Sequence, residues 1–141
     1  MTGARVELPM DYSPSSEEEF MNPLQLEYFR QRLLTWKKQI LNESEATLNV
    51  LQIEPLREPD LNDRASNEAG WSIELRARDR QRKLIAKIDA ALRRIDDGEY
   101  GYCEVTGEPI SLRRLDARPI ATMTIEAQER HERQERLSSD G

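Results

Sequence analysis

The chain has 141 residues, 37% apolar and 34% charged, a balance too lean for a large compact core but suited to helices that each bury one stripe. Its net charge of -6 argues against coating nucleic acid by bulk electrostatics. A single cysteine excludes an intramolecular disulfide framework. With no secretory h-region and no run near the ~20 apolar residues of a membrane span, the reading is of a soluble, cytoplasmic protein.

Residues 1–20 show no periodicity: Pro9 and Pro14 break a polar stretch that ends in the acidic run SSEEE. A mobile acidic arm is expected there, with Ser15 or Ser16 and Glu18 or Glu19 able to cap a short turn into Phe20. From Pro23 the pattern changes. Leu26, Phe29, Leu33, Trp36 and Ile40 follow the alternating three- and four-residue spacing of a helical seam, which predicts a helix over 24 to about 52, roughly 43 Å long at 1.5 Å per residue. Pro55 and Pro59 end it.

A second helix is expected from about 63–66 to 97, where Ile85, Ile88, Leu92 and Ile95 repeat the seam before Gly98 stops it. Two long helices with a short proline-bounded link predict an antiparallel coiled-coil hairpin over 21–98 with its tip at about 55–66. With the tip placed near residues 60–61, facing positions total about 121, which sets Phe29 opposite Leu92, Leu33 opposite Ile88 and Trp36 opposite Ile85, and Glu43 and Glu45 near Arg76, Arg78 or Arg80. Beyond Gly98, residues 99–127 read as a small turn-rich module with β-compatible pieces at ISL and ATMTI, and 128–141 as a C-terminal helix that frays after Leu137. The fold class is mainly α.

Three constellations could carry chemistry. Asp60 and Asp63, followed by Ala65, stand at the hairpin tip, where aspartates either cap a helix start or form the acidic end of a probe that enters a narrow cavity. The block RARDRQRK at 76–83 holds five basic residues and one acidic one, either a solvated helix face or part of an anion site. Lys87 and Arg114 flank the passage from hairpin to module and are candidate phosphate donors. Cys103 opens a turn shaped like the first knuckle of a zinc ribbon, but Thr106, Thr124 and Ala127 stand at the later ligand spacings and His131 is the only histidine. No metal is expected, and the absence of a catalytic triad, phosphate loop or metal triad argues against an enzyme.

The segments EEEFMNPLQLEYFRQRLLTWKKQI, DLNDRAS, IELRARDRQRKLIAKIDAALRRIDDGEYGYCE and RRLDARPIA, in unbroken order over about 17–135, resemble the DksA/TraR family of bacterial transcription regulators. The resemblance implies a long coiled coil joined to a globular part with a four-cysteine zinc finger. It implies binding to RNA polymerase through the secondary channel, without direct sequence-specific DNA binding. It also implies an effect, with the alarmone ppGpp, that represses ribosomal RNA promoters and activates some amino-acid biosynthesis promoters in the stringent response. By position it assigns Asp60, Asp63 and Ala65 as tip effectors, Arg80 as a polymerase contact, and Leu84, Lys87, Arg114 and Gln128 as the ppGpp site shared with polymerase. Gln128 replaces the family's usual lysine. Of the four zinc-ligand positions only Cys103 keeps its residue, with Thr106, Thr124 and Ala127 at the others, so the finger is expected to be a zinc-independent variant held by packing.

Two other readings fit the same residues. A Gre-like transcript-cleavage factor would recruit Mg²⁺ through tip carboxylates. A structural coiled-coil adaptor would use them only as caps.

Overall fold

The computed structural model describes residues 6–53 and 61–140, with side chains over 6–44 and 70–138. Among these residues it is mainly helical without a strand: α1 (Pro23–Ile53), α2 (Leu61–Asp97), α3 (Leu112–Ala117) and α4 (Ile125–Asp140). The helix ends follow local chemistry. Asn22 Oδ1 accepts from the amides of Leu24 and Gln25 at 2.9 and 3.1 Å, and Pro23, which has no amide to leave unpaired, takes the first helical position. Gly98 follows α2 at φ +77, a conformation that costs glycine little, and lets the amides of Glu99 and Tyr100 close on the Arg94 carbonyl.

The chain divides into two units, residues 34–89 and the remainder, 1–33 with 90–141. In the 34–89 unit the α1 and α2 stretches run antiparallel. Lys37 Nζ bonds Asp89 Oδ1 and the Ser44 hydroxyl bonds Gln81 Oε1, both at 2.7 Å. These partners' numbers total 126 and 125, where a tip placed near residues 60–61 predicts about 121. The offset is little more than one helical turn, and a seam repeating every three or four residues meets its partner equally well after such a slide. Polar pairs select the register that apolar periodicity leaves open. Glu43 makes no ion pair with Arg76, Arg78 or Arg80 among the described residues, and the Glu45 side chain lies outside them; Asp79 instead binds Arg82 and Lys83 within α2.

The 1–33/90–141 unit holds most of the largest buried side chains, with Phe29, Leu33, Ile110 and Leu115 fully closed to water and Tyr100 nearly so. Each such side chain contributes about 1.5–3 kcal/mol by burial. The Phe29 ring lies 5.5 Å from that of Tyr100, whose hydroxyl donates to the Pro119 carbonyl at 2.7 Å. Gly101, at φ +93, favours glycine by its backbone, and a Cβ there would stand 3.0 Å from the Met21 thioether chain, which would have to give by a few tenths of an ångström. ISL and ATMTI are not strands. Ser111 caps α3 by accepting the Arg114 amide at 3.1 Å, and 121–124 lead into α4, so the only bridge among the described residues is the isolated pair Tyr102 and Pro109. Short β-branched pieces could not become strands here because no second strand lies beside them to take their backbone bonds. Helix α4 begins at Ile125 and continues to Asp140, three residues past the expected fraying point.

The acidic N-terminal segment makes specific bonds to this unit. Glu18 Oε1 accepts from the Ser15 amide at 2.9 Å, the Tyr12 hydroxyl at 2.9 Å and the Gln25 amide at 3.3 Å, while Ser15 Oγ accepts from the Glu17 amide at 3.1 Å. Gln25, fully buried, also accepts from the Met21 amide at 2.8 Å and donates to the Ser15 carbonyl at 3.2 Å. The Ser15 amide, then the Tyr12 hydroxyl, hold the Glu18 carboxyl below its ordinary range, and burial followed by Glu18 pushes Tyr12 up to about 12.

Candidate functional site

The tip residues come first in the argument and are the least described. Asp60 lies outside the described residues. Asp63 and Ala65 fall in the opening turns of α2, and their side chains lie outside the described set. Arg80 is exposed on α2.

The four residues assigned to an anion site are carried by two units. Leu84 and Lys87 stand on α2 in the 34–89 unit, half-buried and exposed respectively. Arg114 and Gln128 belong to the other unit. Arg114 is half-buried, and its Nε donates to the Met123 carbonyl at 2.8 Å, which fixes the guanidinium plane and leaves its two terminal nitrogens to meet an acceptor. Gln128 donates to Glu132 at 2.9 Å along α4, so its amide is committed to a neighbour on its own helix.

The knuckle residues come together, but not as a metal site. The Cys103 amide donates to the Glu108 carbonyl at 2.8 Å and its carbonyl accepts from the Gly107 amide at 2.9 Å, while the Ile110 amide reaches the Gly101 carbonyl at 2.7 Å. Thr106 Oγ1 accepts from the Glu108 amide at 3.2 Å and steadies the same turn. Thr124 has become a helix cap: its Oγ1 accepts from the Ala127 amide at 3.2 Å. The two halves of the module are joined by the Glu104 amide on the Thr122 carbonyl at 2.8 Å, and Arg94 Nη2 donates to the Tyr102 carbonyl at 2.7 Å.

This donor set does not fit zinc. Structural zinc takes four ligands drawn mainly from thiolate and imidazole, whereas these positions supply one buried thiol, two hydroxyls engaged with backbone amides, and a methyl group. Among the described residues no group of three or more His, Cys, Asp or Glu side chains could hold a metal ion. His131 pairs with Glu135 at 3.0 Å on the exposed face of α4. Burial pushes the Cys103 thiol up, but the Thr106 hydroxyl and the amides of Thr106, Thr124 and Val105 outweigh it and bring the pKa to about 7. The knuckle keeps a nest of amides around its one sulfur, the surroundings of a thiolate without the metal.

Asp116, inside the RRLDARP segment, carries a role that sequence reading did not assign. It accepts from the Tyr28 hydroxyl at 2.8 Å and from Arg32 at 2.7 Å, fixing α3 to α1. The signal was the i, i+4 placement of Tyr28 and Arg32 on one face of α1, which presents both donors to one acceptor.

Comparison with known proteins follows this geometry closely. Residues 25–95 match the family described as DnaK suppressor protein DksA, N-terminal domain, and residues 98–133 match the prokaryotic dksA/traR C4-type zinc finger. The RNA polymerase-binding transcription factor DksA of Caulobacter vibrioides is 64% identical over 130 residues, 92% of each chain. The factor of the same name from Escherichia coli strain K12 is 44% identical over 82% of this chain and 76% of its own. The solved structure of transcription factor DksA2 from Pseudomonas aeruginosa superposes with a TM-score of 0.80 at 39% identity, covering 86% of this chain and 95% of that one.

Proposed function

Because the chain belongs to the DksA family of transcription factors, we propose that it binds bacterial RNA polymerase through the secondary channel and modulates initiation, in the cytoplasm and as a monomer. The observation that carries this reading is the 64% identity, over 92% of each chain, to a factor named for polymerase binding. In this reading Asp60, Asp63 and Ala65 act at the tip, Arg80 contacts polymerase, and the regulator destabilises open complexes at ribosomal RNA promoters while activating some amino-acid biosynthesis promoters.

The effector is ppGpp, held between regulator and polymerase by Leu84, Lys87, Arg114 and Gln128. Arg114 supports the assignment physically, since its Nε anchor on Met123 leaves a pre-oriented pair of donors for a phosphate. Gln128, uncharged and bonded to Glu132, weakens one phosphate contact. In vitro transcription from a ribosomal RNA promoter, with and without ppGpp, tests the proposal: repression should deepen with ppGpp for the wild type and lose that enhancement in Lys87→Ala and Arg114→Ala. Unchanged enhancement in both variants contradicts the effector site.

We further propose that the finger works without zinc. Caps, backbone bonds and aromatic packing do the work of the missing ligands, so the purified protein should contain no stoichiometric zinc and keep its melting temperature in EDTA.

A further inference from the structure

The N-terminal segment, the start of α1 and the knuckle all lie in the 1–33/90–141 unit, and the segment meets its two neighbours in different ways. Toward α1 the joint is polar. Gln25, fully buried in the first turn of α1, accepts from the Met21 amide at 2.8 Å and donates to the Ser15 carbonyl at 3.2 Å and to Glu18 at 3.3 Å. One side chain thus gathers Ser15, Glu18 and Met21, and the Tyr12 hydroxyl joins them on Glu18 at 2.9 Å.

Toward the knuckle the joint is apolar. The Phe20 ring stands edge-on to that of Tyr102, with centroids 5.4 Å apart, and the Met21 side chain lies against Gly101. Among the described residues no hydrogen bond runs from 6–22 to 98–124, and residues 13–18 face 109–113 across a space of about 560 Å³. Gly101 and Tyr102 are where the turn that carries Cys103 closes. The Ile110 amide reaches the Gly101 carbonyl at 2.7 Å, Tyr102 bridges Pro109, and the Cys103 amide reaches the Glu108 carbonyl at 2.8 Å. Phe20 and Met21 therefore press on the open end of that turn, and Cys103 within it is only 3% exposed. The bend between the two joints is Met21 itself, at φ +53, a backbone that residues other than glycine rarely adopt. Such a conformation persists where its surroundings fix it, here through the Gln25 bond.

We infer that residues 12–22 are a latch, moored on α1 by Gln25 and shut on the knuckle by Phe20 and Met21, and that this latch keeps Cys103 covered. Its seat on the knuckle, without a hydrogen bond, is the weaker joint and the one that opens first. The inference rests on the zinc-free reading of the finger, in which no metal–thiolate bond does the holding.

The test is the rate at which Ellman's reagent labels Cys103 in the full chain at about pH 8, where a thiol of pKa about 7 is mostly ionised and access sets the rate. Hydrogen–deuterium exchange of the same samples locates the opening. Phe20→Ala should speed labelling about tenfold and speed exchange at the Cys103, Gly107 and Ile110 amides, with exchange over 75–89 unchanged. Gln25→Ala, which cuts the mooring, should do the same. Phe20→Tyr, which keeps the ring, and Glu17→Ala, at an exposed position of the segment, should both stay close to wild type. Wild-type labelling and exchange in Phe20→Ala would overturn the latch, and so would faster labelling accompanied by equally faster exchange over 75–89, which marks unfolding of the whole chain. Zinc measured in the same preparation separates the two readings: stoichiometric zinc contradicts the zinc-free finger and the latch with it, whereas a zinc-free protein that fails these tests contradicts the latch alone.

Discussion

The two units of this molecule use the same amino acids for different ends. In the 1–33/90–141 unit polar groups are spent on structure: Thr124 and Ser111 cap helices, Asp116 joins α3 to α1, Gln25 and Glu18 fasten the N-terminal segment, and Tyr100 donates to a buried carbonyl. In the 34–89 unit the described polar groups set register or face water. Lys37 and Asp89 form a partly exposed pair, Asp79 is shared by Arg82 and Lys83 on the surface of one helix, and Arg80 and Lys87 are exposed. The difference teaches where mutations should act: substitutions at these bonded groups of the first unit cost stability, and those at the exposed groups of the second cost little of it.

The largest expected effect is in the buried aromatic pair. Phe29→Ala removes a side chain with no exposure and should destabilise the protein by about 3–5 kcal/mol in urea denaturation. A loss below about 1 kcal/mol would mean that this unit does not carry the stability. Next comes Tyr100→Phe, which keeps the ring but orphans the Pro119 carbonyl; about 1–3 kcal/mol should be lost, read by the same melt. Thr124→Ala removes the α4 cap and should cost about 0.5–2 kcal/mol, largely restored by Thr124→Ser. Smallest is Lys37→Ala in the other unit, where a pair about one-third exposed on each side should contribute no more than about 1 kcal/mol. If Lys37→Ala proved as costly as Phe29→Ala, the contrast between the units would collapse.

Much of this was legible in the sequence, for physical reasons that differ by element. The long helices announce themselves because apolar residues spaced three and four apart have no other regular use, and Pro23 and Gly98 mark an entry and an exit that backbone geometry dictates. Register was not legible: an assumed tip position misses it by little more than a turn, a slide to which a repeating seam is nearly indifferent, and among the described residues Lys37 with Asp89 and Ser44 with Gln81 mark it. The knuckle was half legible. That Thr106, Thr124 and Ala127 cannot complete a zinc site follows from their chemistry. That Thr124 instead caps α4 depends on where that helix starts, and ATMTI reads as strand until its lack of a partner is known. Asp116 was hidden for a related reason, since its donors come from residues 84 and 88 positions away.

The same contrast locates the proposed activity. Asp63 lies in the opening turns of α2, in the unit whose described polar residues are least involved in holding the fold. The central claim is that the Asp63 carboxylate acts on initiation without holding the fold. It is tested most directly by Asp63→Asn in transcription from a ribosomal RNA promoter, measured alongside polymerase binding and thermal melting. The account predicts lost repression with polymerase affinity and melting temperature within error of wild type. Normal repression by a well-folded, polymerase-bound Asp63→Asn protein would contradict it.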